Sequence, residues 1–273
     1  MTLDALVAHA LAEDLAGAGD VTTESCVGAE VRGAGTLIAK QDLVLSGGAA
    51  ASATFAAVGV DWSAIEEDGS RVQAGSVVAE VAGRLRDVLT AERVALNFLM
   101  RLSGIATHTA TVVAAAPEGL RVVDTRKSTP LHRALEKAAV RHGGAHNHRF
   151  GLFDGVLIKD NHVEAAGGVT AAVAGARAHA HHLLRIQLEV ETLDQLAEGL
   201  ACGVDAFLLD NMDDATLAEA CRIVDGRALT EASGNMTAAR IAGLGGIGLD
   251  QVSVGGLIHQ ARWVDVSLEV TRA

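Results

Sequence analysis

The chain has 273 residues, 49% of them hydrophobic and 21% charged, enough apolar material for one large α/β domain or for two domains with separate cores. That composition excludes a disordered chain, and a formal net charge of -12 excludes a generic binder of nucleic acid or anionic membrane. Three scattered cysteines (Cys26, Cys202, Cys221) without zinc-site spacing, no basic leader and no apolar run of bilayer length lead us to expect a cytoplasmic protein with neither a disulfide framework nor structural zinc.

Residues 4–16 read as a short amphipathic helix. Residues 31–90 read as short strands between turns, for example Gly35 to Ala39 and Val77 to Val81, and so as a small β-rich region. A long helical pattern follows over 91–114, with Leu96, Leu99, Met100, Leu102 and Ile105 at helical spacing and an interruption expected near Ser103-Gly104. From about residue 121 a short buried strand repeatedly ends in polar residues and is followed by a helical stretch. Val122-Val123 runs into Asp124-Thr-Arg-Lys127, Val156-Leu-Ile158 into Lys159-Asp-Asn-His162, and Ile186-Gln-Leu188 into Glu189-Val-Glu191. Phe207-Leu-Leu209 runs into Asp210-Asn211, Leu229 into Glu231-Ala-Ser-Gly234, and Val252-Ser-Val254 into Gly255-Gly256. Such alternation marks a parallel α/β fold, and polar residues at successive strand ends favour a β/α barrel, which places its chemistry on that face. The competing doubly wound sheet lacks support, because neither G-x-G-x-x-G after a first strand nor a P-loop occurs.

Charge is distributed unevenly. Residues 93–162 hold ten Lys/Arg against five Asp/Glu and six of the 11 histidines, so an acidic chain carries one basic segment. Within it, Arg126, Lys127, His148 and Arg149 flank a predicted strand end and the pair Gly143-Gly144. Guanidinium groups grip carboxylates and phosphates bidentately, so a small polyanion is the natural guest. Glu189 and Asp210, on successive strand ends, offer hard oxygen ligands suited to magnesium carried by a phosphorylated substrate. Ser233-Gly234-Asn235 and Gly255-Gly256 supply turns whose backbone amides can approach a phosphate closely.

The run Val123-Asp-Thr-Arg-Lys-Ser-Thr-Pro130, with Leu135-Glu-Lys137, Ala139-Val-Arg141, Gly143-Gly144, Asn147-His-Arg149 and Leu157-Ile-Lys-Asp-Asn-His162, resembles the quinolinate phosphoribosyltransferases. The likeness extends over nearly the whole chain, through Glu13-Asp14, Gly19-Asp-Val-Thr-Thr23, Glu92-Arg93, Leu96-Asn97, Leu102-Ser-Gly-Ile-Ala-Thr107, Glu189-Val-Glu191, Leu209-Asp-Asn-Met212, Glu231-Ala-Ser-Gly234 and Ser253-Val-Gly255. It implies transfer of the phosphoribosyl group of phosphoribosyl pyrophosphate to the ring nitrogen of quinolinate, with loss of pyrophosphate and carbon dioxide, in NAD biosynthesis. It also implies an N-terminal α/β sandwich over 1–108, an incomplete β/α barrel over 109–265, a tail at 266–273 that packs on the sandwich, and a homodimer or a hexamer with shared active sites.

By the same resemblance, Arg93 reaches into the neighbouring subunit's site. Thr125, Arg126, Lys127, His148, Arg149 and Lys159 line a pocket for the dicarboxylate and the pyrophosphate. Glu189 and Asp210 lie near Mg2+ and the ribose, Ser233, Gly234, Asn235 and Gly255 hold the 5-phosphate, and His259 lies near the pyrophosphate. Lys127, Lys159, Glu189 and Asp210 are the expected catalytic groups. Leu131 and Ala145 stand where glycine is common in the family, and both bear on loop geometry.

Besides a related phosphoribosyltransferase with another acceptor, two other readings of the residues stay open at this level. Lys159 at a barrel strand end is also where a Schiff-base aldolase lysine sits. The turns Asp68-Gly-Ser-Arg-Val72 and Ala74-Gly-Ser-Val-Val78 resemble those of carrier domains, but no lysine lies between Lys40 and Lys127 to carry a prosthetic group. His179, His181 and His182 are expected to be solvated, Trp62 and Trp263 to pack, and the three cysteines to be buried.

Overall fold

A computed structural model describes all 273 residues, grouped into two compact units. The first comprises Met1–Ala110, Thr129–Gly144 and Gln260–Ala273, and the second Thr111–Ser128 and Ala145–His259.

The first unit opens with helices α1 (Leu3–Leu15), capped by the Thr2 hydroxyl, and α2 (Val21–Cys26), capped by the Asp20 carboxylate. Its main sheet is antiparallel in the order β12-β1-β5-β3, formed by β1 (Arg32–Ala39), β3 (Asp61–Ala64), β5 (Val77–Arg84) and β12 (Val266–Arg272). A two-stranded ribbon joins β2 (Leu43–Val44) to β4 (Arg71–Val72). Leu37, Val78, Val81, Val88, Ala91, Ala95, Leu96 and Leu99 form a shared core with Phe55, whose ring stacks on Trp62 at 5.8 Å. Phe55 belongs to α3 (Gly48–Ala57), a helix inside the stretch that alternation alone assigns to strands. Six of its ten residues are Ala, a composition without a clear period but with high helix propensity.

Helix α4 (Leu85–Ala115) runs through Ser103-Gly104 without a break. Both residues serve close approach. The Ser103 hydroxyl accepts from Ser46 N–H at 2.9 Å and donates to Ser46 C=O at 3.0 Å, and a Cβ on Gly104 would fall 2.1 Å from the Arg262 carbonyl oxygen. Residues 129–144, placed by sequence inside the barrel domain, pack with the first unit through α5 (Arg133–His142). Glu136 is fully buried there, accepting from Thr129 N–H at 2.7 Å and from the Arg101 guanidinium at 3.3 Å, while Gly143 packs against Ala106 and Thr109 too tightly for any side chain. The C-terminal strand β12 returns to pair along all of β1. Two packing expectations fail: Trp263 is 53% exposed, and Cys26 is exposed with Cys202 and Cys221 half-buried, all three as free thiols.

The second unit is built on six parallel strands: β6 (Arg121–Val123), β7 (Val156–Ile158), β8 (Ile186–Val190), β9 (Ala206–Asp210), β10 (Leu229–Ser233) and β11 (Gln251–Ser253), in the order β6-β11-β10-β9-β8-β7. β6 and β7 are the two edges, so the barrel is incomplete. Helices α6 (Asp160–Ala166), α7 (Val169–His179), α8 (Leu193–Ala201), α9 (Asp214–Val224) and α10 (Ala238–Ala242) fill the crossovers, with α11 (Gly256–His259) after β11. Thr192, Asp213 and Thr237 cap α8, α9 and α10 through their side-chain oxygens. Leu188, Phe207, Leu209, Ala232 and Val252 are fully buried, the pattern of strands covered on both faces. No helix of the chain is long and apolar enough to cross a membrane.

Candidate active site

The strand register puts the chemistry on one face. Leu208 is paired with Glu189 on one side and Glu231 on the other, Glu231 with Gln251, and Asp210 with Ser233, so all these side chains point the same way and Glu189 and Asp210 are diagonal neighbours at the C-terminal rim. Lys159, the residue after β7, reaches Glu189 Oε2 at 2.5 Å. Its own backbone N–H donates to His162 Nδ1 at 2.9 Å, which fixes where the lysine leaves the strand. Asp210 accepts from Asn211 Nδ2 at 2.6 Å through one oxygen. Glu189 Oε1 and Asp210 Oδ1 have no partner within the chain. No three His, Cys, Asp or Glu side chains gather closely enough to hold a metal ion by themselves.

Three loops complete the rim. After β6, Asp124 is fully buried and its carboxylate accepts from Asn147 Nδ2 and His148 N–H, both at 2.8 Å, tying the Asp124–Lys127 loop to the Asn147–Arg149 loop. Thr125 Oγ1 accepts from Lys127 N–H at 3.1 Å, and the Lys127 side chain lies over Gly255, where an added Cβ would stand 3.2 Å from Lys127 Nζ. After β10, Gly234 adopts φ +93°, and a Cβ there would fall 2.1 Å from Asn211 Oδ1, so only glycine fits. Asn235 is also left-handed, and Arg240 clamps the turn by donating to Gly234 C=O at 3.0 Å and Met212 C=O at 2.6 Å.

Arg126 and Arg149 form the cationic wall. Arg149 donates to Gly155 C=O at 2.9 Å; burial, then the adjacent Arg126 charge, push its pKa below the ordinary guanidinium value. Arg126 Nε is buried with no hydrogen-bond partner within the chain. Two like charges held together, one with an unanswered donor, form a site for an anion with more than one carboxylate or phosphate oxygen. The Phe150–Asp154 turn beneath Arg149 is closed by the Asp154 carboxylate, which accepts from Phe150 and Gly151 N–H; burial opposes this, but those amides hold its pKa below the usual carboxylate range.

The structure therefore brings Thr125, Arg126, Lys127, His148, Arg149, Lys159, Glu189, Asp210, Ser233, Gly234, Asn235 and Gly255 onto the strand-end face of one unit. Arg93 is exposed on α4 in the other unit, and His259 is exposed at the end of α11. His148 differs from a free basic wall residue, because both of its ring nitrogens are engaged by the chain. Sequence reasoning missed Asp124, Gln187, Glu231 and Arg240. For Glu231 the cause is a misplaced strand end: β10 continues to Ser233, so Glu231 lies inside the strand and is fully buried. The signal was present, since Gln187 and Glu189 alternate with buried apolar residues in Ile-Gln-Leu-Glu-Val, and Glu231 and Ser233 flank the buried Ala232.

The first unit has its own cavity of about 340 Å³, lined in part by Glu13, Asp14, Asn97, Arg101, His132 and Trp263. In the same unit Leu131, 73% exposed, takes a left-handed φ of +68°, a conformation that glycine adopts without strain.

Comparison with known proteins agrees with this architecture. The family described as "Quinolinate phosphoribosyl transferase" matches through its N-terminal domain at residues 20–103 and its C-terminal domain at residues 105–269. A Bacillus subtilis protein named "Probable nicotinate-nucleotide pyrophosphorylase [carboxylating]" is 38% identical, over 99% of this chain and 94% of its own length. A Nicotiana tabacum "Quinolinate phosphoribosyltransferase [decarboxylating] 2b, mitochondrial" is 37% identical over 96% of this chain and 80% of its own. The crystal structure of NadC from Streptococcus pyogenes superposes with a TM-score of 0.95 at 39% identity, covering 99% of this chain and 97% of that one. The chain belongs to the quinolinate phosphoribosyltransferase family.

Proposed function

We infer that the chain is a pentosyltransferase that joins quinolinate to the phosphoribosyl group of phosphoribosyl pyrophosphate, releasing pyrophosphate and carbon dioxide and giving nicotinate mononucleotide for NAD biosynthesis. The observation that carries this reading is the Arg126–Arg149 pair, with a buried Arg126 Nε awaiting an acceptor, in a site whose other wall is acidic. Adjacent carboxylates on one ring match two guanidinium groups held side by side.

The quinolinate ring nitrogen forms the bond to ribose C1 as the C1–oxygen bond breaks and pyrophosphate departs with that electron pair. Positive charge develops on the ribose, and Glu189 and Asp210 face it across the rim. Lys127 and Lys159 balance the leaving pyrophosphate, with Lys159 moving off Glu189 as the substrate arrives. The carbon–carboxylate bond beside the now quaternary ring nitrogen then breaks, its electron pair stabilised by that nitrogen, and a proton takes the vacated position. Ser233, Gly234, Asn235 and Gly255 receive the 5-phosphate on backbone amides. The donors available fit Mg2+ only as an ion carried by the substrate: Glu189 Oε1 and Asp210 Oδ1 are unoccupied hard oxygens, and phosphate oxygens and water must supply the rest. When bound, it neutralises the pyrophosphate charge.

A homodimer in the cytoplasm completes the reading, with His259 near the pyrophosphate and Arg93 reaching into the neighbouring subunit's site. Arg93→Ala mixed with Lys159→Ala should then recover part of the activity that each lacks alone, and no recovery in stably mixed dimers refutes the shared site. An aldolase has less support, because the Lys159 side chain is 46% exposed and its Nζ is bound to a carboxylate instead of desolvated in an apolar pocket. The primary test supplies purified protein with quinolinate, phosphoribosyl pyrophosphate and magnesium, with nicotinate replacing quinolinate as control. Product from quinolinate alone is expected. No product from folded protein, or equal product from nicotinate, refutes the assignment.

A further inference from the structure

Beneath the rim lies a polar network that the reaction itself does not use. Glu231 is fully buried, and its Oε2 accepts from Gln187 Nε2 at 2.9 Å and Gln251 Nε2 at 2.6 Å, while Oε1 has no partner. Gln187, 92% buried, presents its Oε1 to His148 Nε2 at 3.0 Å. On the other side of the ring, His148 Nδ1 accepts the Arg149 backbone N–H at 2.7 Å.

The direction of every bond in this chain follows from one end. A carboxylate can only accept, so the Gln187 amide must aim its NH2 at Glu231 and its oxygen at His148. The ring must then donate from Nε2, and the lone pair left on Nδ1 is what the Arg149 N–H requires. Had the Gln187 amide turned over, either two donors would face each other at Nε2, or the neutral ring would carry its proton at Nδ1, where Arg149 N–H needs an acceptor.

We propose that Gln187, oriented by the buried Glu231, is a positioning residue for the dicarboxylate pocket: it holds His148 as the Nε2–H tautomer, whose Nδ1 sets the Arg149 backbone and with it the Arg126–Arg149 pair. The inference rests on the quinolinate reading for its functional consequence, although the tautomer does not. Gln251 is the natural control, since it donates to the same Glu231 oxygen but does not touch His148.

Long-range proton–nitrogen NMR on protein labelled with 15N histidine, assigned with His148→Asn, is expected to show protonated Nε2 and acceptor Nδ1 at His148 in the unaltered chain. Protonated Nδ1 there overturns the proposal whatever the variants do. Gln187→Met, which keeps length and volume, should lose this signature and weaken quinolinate binding by calorimetry tenfold or more, with phosphoribosyl pyrophosphate affinity changed less than threefold. Gln251→Met should keep both the signature and the affinity. Equal losses in the two variants, or an unchanged tautomer in Gln187→Met, overturn it by reducing the network to packing. An unaltered chain that binds no quinolinate refutes the functional reading instead, and the tautomer comparison still decides this one.

Discussion

Replacing Arg126 by Met should move activity and stability in opposite directions. The unbranched methionine keeps most of the aliphatic stem but removes the guanidinium. Two charge-assisted hydrogen bonds to a substrate carboxylate are lost, at about 1.5–3 kcal/mol each. Against quinolinate this amounts to about 3–6 kcal/mol, a rise in KM or fall in kcat/KM of roughly 10²- to 10⁴-fold. The free protein gains, because a buried Nε without a partner costs about 1–3 kcal/mol and the charge pressing on Arg149 disappears. After some lost packing, the net stabilisation should be on the order of 1 kcal/mol. Steady-state kinetics with each substrate varied in turn, alongside chemical denaturation of the unliganded protein, measures both quantities. A variant with near-normal quinolinate kinetics, or one destabilised by several kcal/mol, would show that Arg126 holds the fold together and does not await a substrate.

Other expectations rest on separate observations. Gly255→Ala puts a Cβ 3.1 Å from Lys127 Cδ, so the flexible side chain must yield by a few tenths of an ångström; kcat should fall roughly five- to tenfold with little change in melting temperature. Leu131→Gly relieves a left-handed leucine that buries little, and should stabilise by about 0.5–1 kcal/mol in urea titration; a loss of stability would contradict the strain. Burial lowers the pKa of His108, so the folded state resists its protonation and the unfolded state binds that proton first. Stability should therefore fall as pH drops through the ordinary histidine value near 6.5, by at most about 1.4 kcal/mol per pH unit for this one proton, and His108→Gln should flatten that slope in denaturation curves.

The sequence by itself determined the order of elements in the second unit and most of its rim. Short buried strands ending in polar residues can be read locally, because a strand's period and its terminal loop lie within a few residues of one another. Thus Lys159, Glu189 and Asp210 stand at strand ends as expected, and the long basic run names Arg126 and Arg149. The tertiary structure decided what depends on distant neighbours. Gly104 looks like a break until the Arg262 carbonyl is seen lying against it, and an alanine-rich α3 carries no period to announce it. Residues 129–144 group with the first unit, where Glu136 is buried against Arg101. The same holds for His148: its identity predicts a cationic wall, but Gln187 and Arg149 occupy both ring nitrogens, and only the fold brings β8 and β10 close enough for Glu231 to set that arrangement. Hydrogen-bond direction is a property of assembled partners, so no single strand's sequence can contain it.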